Sequence, residues 1–185
     1  MLEASAERTI APMRNLWNFA MFQAGWFACV LGAAERIWWI GPVATAAILA
    51  LHLRIAKDRP REWLFLLATL PLGFVVDNLQ VALGAIESRS TLAPALAPLW
   101  LLPLWPLFGS VFGESMRWML GRPWLGAAFG AIGAPLSYLA GAKTGALRIA
   151  EDPWRFAVVV GLLWAGAMPL LLGWRGRLVG AAATR

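Results

Sequence analysis

Long apolar stretches constrain this chain most strongly. Its 185 residues contain six runs of mostly apolar residues, each close to the length that is needed to cross a membrane. Charged residues, proline or glycine flank each run. A helix that crosses a bilayer needs about 20 such residues. Only 14% of the residues are charged, against about 25% in ordinary globular domains. A soluble chain of this size could not bury so much apolar surface. The sequence therefore predicts an all-α integral membrane protein.

We predict a compact bundle of about six transmembrane helices. They span Arg14–Ala34, Ile37–Leu53, Trp63–Ile86, Pro98–Leu120, Trp124–Ala142 and Trp154–Trp174. Prolines interrupt the fourth span, and they are Pro94, Pro98, Pro103 and Pro106. Because proline removes a backbone donor and kinks a helix, two structures stay open for this region. It is either a broken span, or an interfacial or re-entrant stretch over Ala95–Pro106 with a regular helix only from Leu107.

The basic residues predict the orientation. With the N-terminus inside, eleven of the 16 Lys and Arg residues lie on the cytoplasmic side and five on the outer side. The positive-inside rule favours this arrangement. We therefore expect one membrane domain over residues 1–185, with residues 1–13 and 175–185 as cytoplasmic ends.

Asp77 is the ionisable residue that most needs a reason, because a charge inside a span is costly. Gly73, Asp77, Gln80 and Gly84 recur at helical spacing, which places them on one face of the third span. That face is expected to point into the bundle. Asp77 then either handles a proton, ion or substrate, or is a structural residue hydrogen-bonded to another helix.

Two further residues complete the catalytic candidates. Glu114 shares a helical face with Arg117, so it either pairs with that arginine or forms one wall of a polar cavity in which it meets Asp77 for acid–base chemistry. Tyr138, the only tyrosine, either orients a ligand or completes a hydrogen-bond network.

Other polar and aromatic residues belong to the predicted interior. Asn18 and Gln23 in the first span either bond to other helices or bind a polar substrate group. The candidate polar cavity is thus Asn18, Gln23, Asp77, Gln80, Glu114 and Arg117. Trp26, Trp105 and Trp164 lie deep in their spans and are predicted to be packing or pocket residues. Glycines at steps of three and four in the fifth span, from Gly126, predict a helix-packing stripe.

The scarcity of cysteine and histidine excludes several classes of chemistry. Cys29 and His52 are the only cysteine and the only histidine. The chain therefore lacks the Cys and His clusters that hold metals, and we predict no metal site and no evident cofactor. Its basic residues sit in short loops between apolar spans, so we expect no nucleic-acid partner.

The chain resembles a bacterial membrane family catalogued as domain of unknown function number 2878. The resembling stretches are Asn18–Ala33, Gly73–Asp77 and Trp100–Gly145. The resemblance implies a small, multi-pass inner-membrane protein and supplies no established catalytic residues. It also implies an association with fatty-acid-modifying enzymes, such as cyclopropane-synthase-like methyltransferases, that are encoded near such genes.

Three functions remain open. The first is a role in membrane lipid or fatty-acid modification, as an enzyme or as a partner of lipid-modifying enzymes in the bilayer. The second is a small solute transporter or substrate-binding membrane subunit. The third is a structural or assembly protein without chemistry of its own.

Overall fold

Helices make up most of the chain. The computed structural model describes the backbone of residues 2–87 and 96–179, and within these the side chains from residue 12 onward. Its helices are α1 (Leu2–Ala34), α2 (Ile40–Ile55), α3 (Arg59–Ala82), α4 (Leu104–Gly109), α5 (Pro123–Lys143) and α6 (Pro153–Leu178). Two short strands, β1 (Ile86–Glu87) and β2 (Arg148–Ile149), pair in antiparallel fashion. Arg89, Pro94, Ala95 and the end of the predicted tail, 180–185, lie outside the described residues.

Four of these helices are long and apolar enough to cross a membrane. They cover Pro12–Ala34, Arg59–Ala82, Pro123–Lys143 and Pro153–Leu178. They correspond to the first, third, fifth and sixth predicted spans, which confirms the prediction of a helical membrane protein. The second predicted span forms α2, a shorter apolar helix of 16 residues. Residues 2–13 continue α1 instead of forming a separate segment.

Aspartate caps set the beginnings of α3 and α6. Asp58 accepts a hydrogen bond from the Arg61 backbone N–H at 3.2 Å, and Asp152 accepts one from the Trp154 N–H at 2.9 Å. A proline occupies the first turn of each helix. A side-chain acceptor followed by proline is a strong helix-start signal. It explains why α3 begins at Arg59, four residues before the predicted Trp63.

The prediction of a regular helix from Leu107 is wrong. The fourth predicted span contains a 3₁₀ turn at Leu99–Leu101, the six-residue α4 and a second 3₁₀ turn at Arg117–Met119, joined by further turns. Prolines confine helix formation to α4, and the Ser110 hydroxyl donates to the Leu107 carbonyl at 2.7 Å just where α4 ends. Such local side-chain bonds compete with helix continuation.

The broken segment, residues 97–119, is enclosed by the rest of the protein. Leu107, Val111, Phe112 and Met119 are all 0% exposed. At one end the Ala97 backbone N–H donates to the Asn78 side chain at 3.0 Å, near the end of α3. The other end packs against Arg14 of α1 and against Arg175 near the end of α6. Irregular backbone at membrane depth is tolerated only when protein covers it, and this segment meets that condition.

The two strands bring the ends of α3 and α5 together. β1 follows α3, β2 follows α5, and Ile86 pairs with Ile149. Asp77 lies five residues before the end of α3, and Tyr138 lies five residues before the end of α5. Both residues are therefore about 7.5 Å from the same end of the bundle. The sequence predicts Asp77 near the middle of the third span, whereas in the structure it lies nearer to the end of α3.

Close helix packing uses part of the predicted glycine stripe. A Cβ on Gly130 would lie 2.4 Å from the Trp164 carbonyl oxygen, and one on Gly126 would lie 2.4 Å from the Leu172 side chain. These two glycines therefore let α5 and α6 approach closely, as predicted. Gly133 does not contact α6, because its Cβ position meets only the Phe129 ring of its own helix.

A buried ion-pair cluster ties three helices at the opposite end of the bundle. Glu62 of α3 is 3% exposed and accepts from His52 Nε2 of α2 at 2.9 Å. Arg175 of α6 donates to both oxygens of Glu62 and lies over the Phe65 ring. Arg175, the first residue of the predicted tail, is thus a buried part of α6, which continues to Leu178.

Candidate functional site

Asp77 is the centre of a buried hydrogen-bond network. Its Oδ1 accepts from the Tyr138 hydroxyl at 2.7 Å and from Gln80 Nε2 at 3.1 Å, and its Oδ2 accepts from Trp105 Nε1 at 2.9 Å. Gln80 Nε2 also donates to the Tyr138 hydroxyl at 2.9 Å. Among the described residues, every side chain that hydrogen-bonds to this carboxylate does so as a donor.

Gly73 makes the Trp105 contact geometrically feasible. A Cβ at position 73 would lie 2.2 Å from Trp105 Cγ, so only glycine lets the indole ring lie against α3. One turn further along α3, Asp77 receives the indole N–H. Trp105 in turn stacks on Trp164 of α6, with ring centroids 4.7 Å apart and planes 18° from parallel. The network therefore joins α3, α4, α5 and α6.

Two buried polar atoms in this region have no hydrogen-bond partner among the described residues. They are Gln80 Oε1, an acceptor, and Trp164 Nε1, a donor. Native proteins seldom leave buried polar groups unpaired, and each exception calls for an explanation such as an unseen water or ligand. The Trp164 N–H interacts with the Tyr138 hydroxyl, so Gln80 Oε1 is the buried polar atom of the two that most needs an explanation.

A cavity of about 430 Å³ adjoins the network. Its walls come from α1, α5, α6 and the broken segment, and they are mainly aromatic and aliphatic. The polar side chains among its lining residues are Gln23, Asp77, Ser137 and Tyr138. Trp26, Trp105 and Trp164 all line it, which confirms that these deep tryptophans are pocket residues.

Exposed side chains of α1 and α5 line the cavity, with Phe19 43% and Leu136 61% exposed, so we infer that it reaches the surface between these helices. Its α1 wall extends from Phe19 to Val30, and the eleven steps between these residues rise about 16 Å along the helix. α1 packs against α2 and the broken segment, whereas α5 packs against α6. A hydrogen bond of 3.2 Å from Trp26 Nε1 to Ser137 Oγ joins α1 and α5 beside the cavity.

The structure brings together some of the sequence candidates and separates others. Asp77, Gln80 and Tyr138 form the network, and Gln23 lines the same cavity. Asn18 lies elsewhere, where its Nδ2 donates to the Ser110 carbonyl at 3.2 Å and its Oδ1 accepts from the Ser115 hydroxyl at 2.8 Å. Asn18 therefore links α1 to the broken segment.

The side chains of Glu114 and Arg117 pair neither with Asp77 nor with each other in the described contacts; the Arg117 backbone N–H donates to the Glu114 carbonyl at 3.1 Å. Arg14 Nε lies 2.7 Å from Glu114 Oε2, so the glutamate pairs with α1. Arg117 is exposed. The predicted Glu114–Arg117 pair assumed a regular helix, and the turns between residues 110 and 116 remove that helical spacing. No described contact supports an Asp77–Glu114 couple.

Trp105 is the functional residue whose role the sequence did not reveal. The sequence indicated that Trp105 lies deep in its span. Its hydrogen bond to Asp77, however, depends on the path of an irregular segment. The available signal was Gly73, a small residue one helical turn before a buried acid. Among the described residues, no three His, Cys, Asp or Glu side chains form a group that could hold a metal ion.

Comparison with known proteins identifies the family but not a function. Neither the curated proteins nor the solved structures gave a match to this chain. The family model described as "Protein of unknown function (DUF2878)" matches residues 15–170. This region contains α2 to α5, most of α1 and α6, the broken segment, the Asp77 network and the cavity-lining residues. The chain belongs to the DUF2878 family.

Proposed function

We propose that this protein takes a single amphiphilic molecule from the bilayer into its cavity, in the service of membrane lipid or fatty-acid modification. The observation that carries the proposal is the aromatic-walled cavity lined by α1 and α5, with Asp77 at its wall. Binding sites for small molecules typically measure about 300–1,000 Å³, and the cavity volume of 430 Å³ falls within this range. A length of about 16 Å suits an extended hydrocarbon chain.

The surroundings of the opening favour a guest that arrives from lipid. Ile132 and Leu136 of α5 are 65% and 61% exposed, and Phe19 of α1 is 43% exposed. Exposed apolar side chains on a membrane-spanning helix face hydrocarbon. A water-soluble solute would meet this apolar surface first, so solute transport is less favoured. A purely structural role would not explain the cavity or the unpaired polar atoms beside it.

The proposed setting is a bacterial inner membrane, crossed six times with both ends in the cytoplasm. Support comes from the positive-inside count and from the broken segment, which connects opposite ends of the bundle. In a Cys29→Ser background, we expect an impermeant maleimide added to intact cells to label Trp38→Cys and Trp154→Cys. Lys57→Cys and Trp124→Cys should react only after lysis. Labelling of Trp124→Cys from outside would mean that the broken segment does not cross.

Filling the cavity tests the binding proposal. Gly133→Leu places a large side chain at the cavity wall, whereas Gly166→Leu places the same side chain where nothing lies within 4 Å of the Cβ position. We expect native mass spectrometry of gently purified protein to show a retained amphiphile in wild type and in Gly166→Leu. In Gly133→Leu its occupancy should fall about tenfold, because overpacking a filled site costs on the order of 1–3 kcal/mol. Equal retention in both variants would contradict the proposal.

The chemical part of the proposal rests on the Asp77–Tyr138 pair. A carboxylate 2.7 Å from a phenolic hydroxyl can exchange a proton with a guest beside it. We expect whole-cell fatty-acid profiles to differ between cells that express wild type and cells that express Tyr138→Phe, which keeps the ring and removes the hydroxyl. Identical profiles, with both proteins present at equal levels, would limit the function to binding.

A further inference from the structure

We propose that the bound amphiphile carries a protonated amine, and that its ammonium group binds at Asp77. This inference rests on the proposed function, because it names the headgroup of the molecule that the cavity takes up. It follows from the charge of Asp77, from the free acceptors beside it and from the aromatic walls.

Asp77 differs from the other carboxylates in or near the protein interior. Glu62 pairs with Arg175 and His52, and Glu114 pairs with Arg14. Within the described part of the chain, Asp77 has only the neutral donors Tyr138, Gln80 and Trp105. A buried charge is normally paired, since an unpaired one is costly in a low-dielectric interior. A cation supplied by the guest would complete the pair.

Acceptor positions remain free for such a cation. A carboxylate oxygen can accept two hydrogen bonds, and from the described residues Asp77 Oδ2 receives only the one from Trp105. Gln80 Oε1 is a buried acceptor without a partner in the described structure, and its amide nitrogen is already bonded to Asp77 and Tyr138. An ammonium carries only donors. Because Asp77 lines the cavity, an N–H group of the ammonium could bond to its carboxylate. Gln80 is buried next to Asp77 and is not among the described residues that line the cavity.

The aromatic walls favour a positive charge at this position. Trp105, Tyr138 and Trp164 border the cavity beside Asp77. Aromatic faces attract cations, and tryptophan does so best. The same carboxylate and ring faces repel an ionised fatty acid. The depth also fits an amphiphile, because Asp77 is about 7.5 Å from the end of α3, whereas the cavity continues along α1 toward Phe19.

The test compares three probes with the same saturated chain: a primary amine, a primary alcohol and a carboxylate. Binding to purified wild type is measured by native mass spectrometry in a detergent of fixed concentration. We expect the amine to bind at least about tenfold more tightly than the alcohol, and the carboxylate to bind most weakly. In Asp77→Asn, the preference for the amine should disappear while the alcohol still binds. Glu114→Gln removes a carboxylate outside this cavity and should keep the preference.

The outcomes separate the two proposals. If none of the probes binds wild type, the proposed uptake of an amphiphile fails. If the amine binds no more tightly than the alcohol, or if its preference survives in Asp77→Asn, the chain still binds but the ammonium inference is overturned. The comparison of probes on wild type decides the inference even when Asp77→Asn does not fold.

Discussion

Glu62→Ala is expected to lower the free energy of unfolding by about 3–5 kcal/mol. Both carboxylate oxygens of the buried Glu62 accept hydrogen bonds from Arg175, and one of them also accepts a hydrogen bond from His52. Removing one partner of a buried ion pair leaves the other charge desolvated and unpaired, which is the source of this large cost. The measurement is unfolding of the purified protein in micelles by titration with a denaturing detergent.

Two variants control this prediction. Arg177→Met removes a charge from the exposed side of α6, the helix that carries Arg175. It should change stability by less than about 0.5 kcal/mol. The double variant Glu62→Leu with Arg175→Met replaces both charges by apolar groups and should recover much of the loss. A cost of Glu62→Ala below that of Arg177→Met would show that the ion-pair cluster does not hold α2, α3 and α6 together.

Gly73→Ala is expected to destabilise the protein by about 2.5–6 kcal/mol and to weaken amphiphile binding. The new methyl group would lie 2.2 Å from Trp105 Cγ, so the indole must move. Overpacking costs roughly 1–3 kcal/mol, and loss of the Trp105 bond to the Asp77 carboxylate adds roughly 1.5–3 kcal/mol. Unfolding in micelles and retention of the amphiphile are both measured.

Gly166→Ala is the matched control. It lies in α6 with nothing within 4 Å of its Cβ position, so the same substitution meets no neighbour there. Because alanine favours helices more than glycine does, this variant should be as stable as wild type or slightly more so. If Gly73→Ala behaves like Gly166→Ala, Trp105 does not need to lie against α3.

The sequence predicted the long helices because their apolar runs exceed the thickness of a membrane core. It could not predict the path of residues 97–119, where prolines, Ser110 and local turns outweigh apolarity. That region was expected either to span or to be re-entrant. Its actual form, a buried chain of short turns between opposite ends of the bundle, depends on cover from neighbouring helices. No local pattern encodes that cover.

The candidate site was only partly predictable for the same reason, because contacts between helices depend on packing. Asp77 and Gln80 share a helical face in the sequence, and they hydrogen-bond to each other in the structure. Tyr138 could be named but not placed, because only the pairing of β1 with β2 sets its depth against Asp77. Glu114 was expected to have a helical neighbour, and instead it pairs with Arg14 on α1. Spacing identifies faces of one helix, whereas partners on other helices depend on packing.

Photo-crosslinking with a long-chain amine tests uptake from the bilayer most directly. The probe carries a diazirine near the end of its chain, and the protein is irradiated in membranes before peptide mapping. We expect crosslinks at cavity-lining residues of α1 and α5 such as Phe22 and Phe129, and competition by excess unlabelled amine. Crosslinks spread over outward side chains such as Leu162 of α6, without competition, would contradict uptake into the cavity and leave only ordinary contact with lipid.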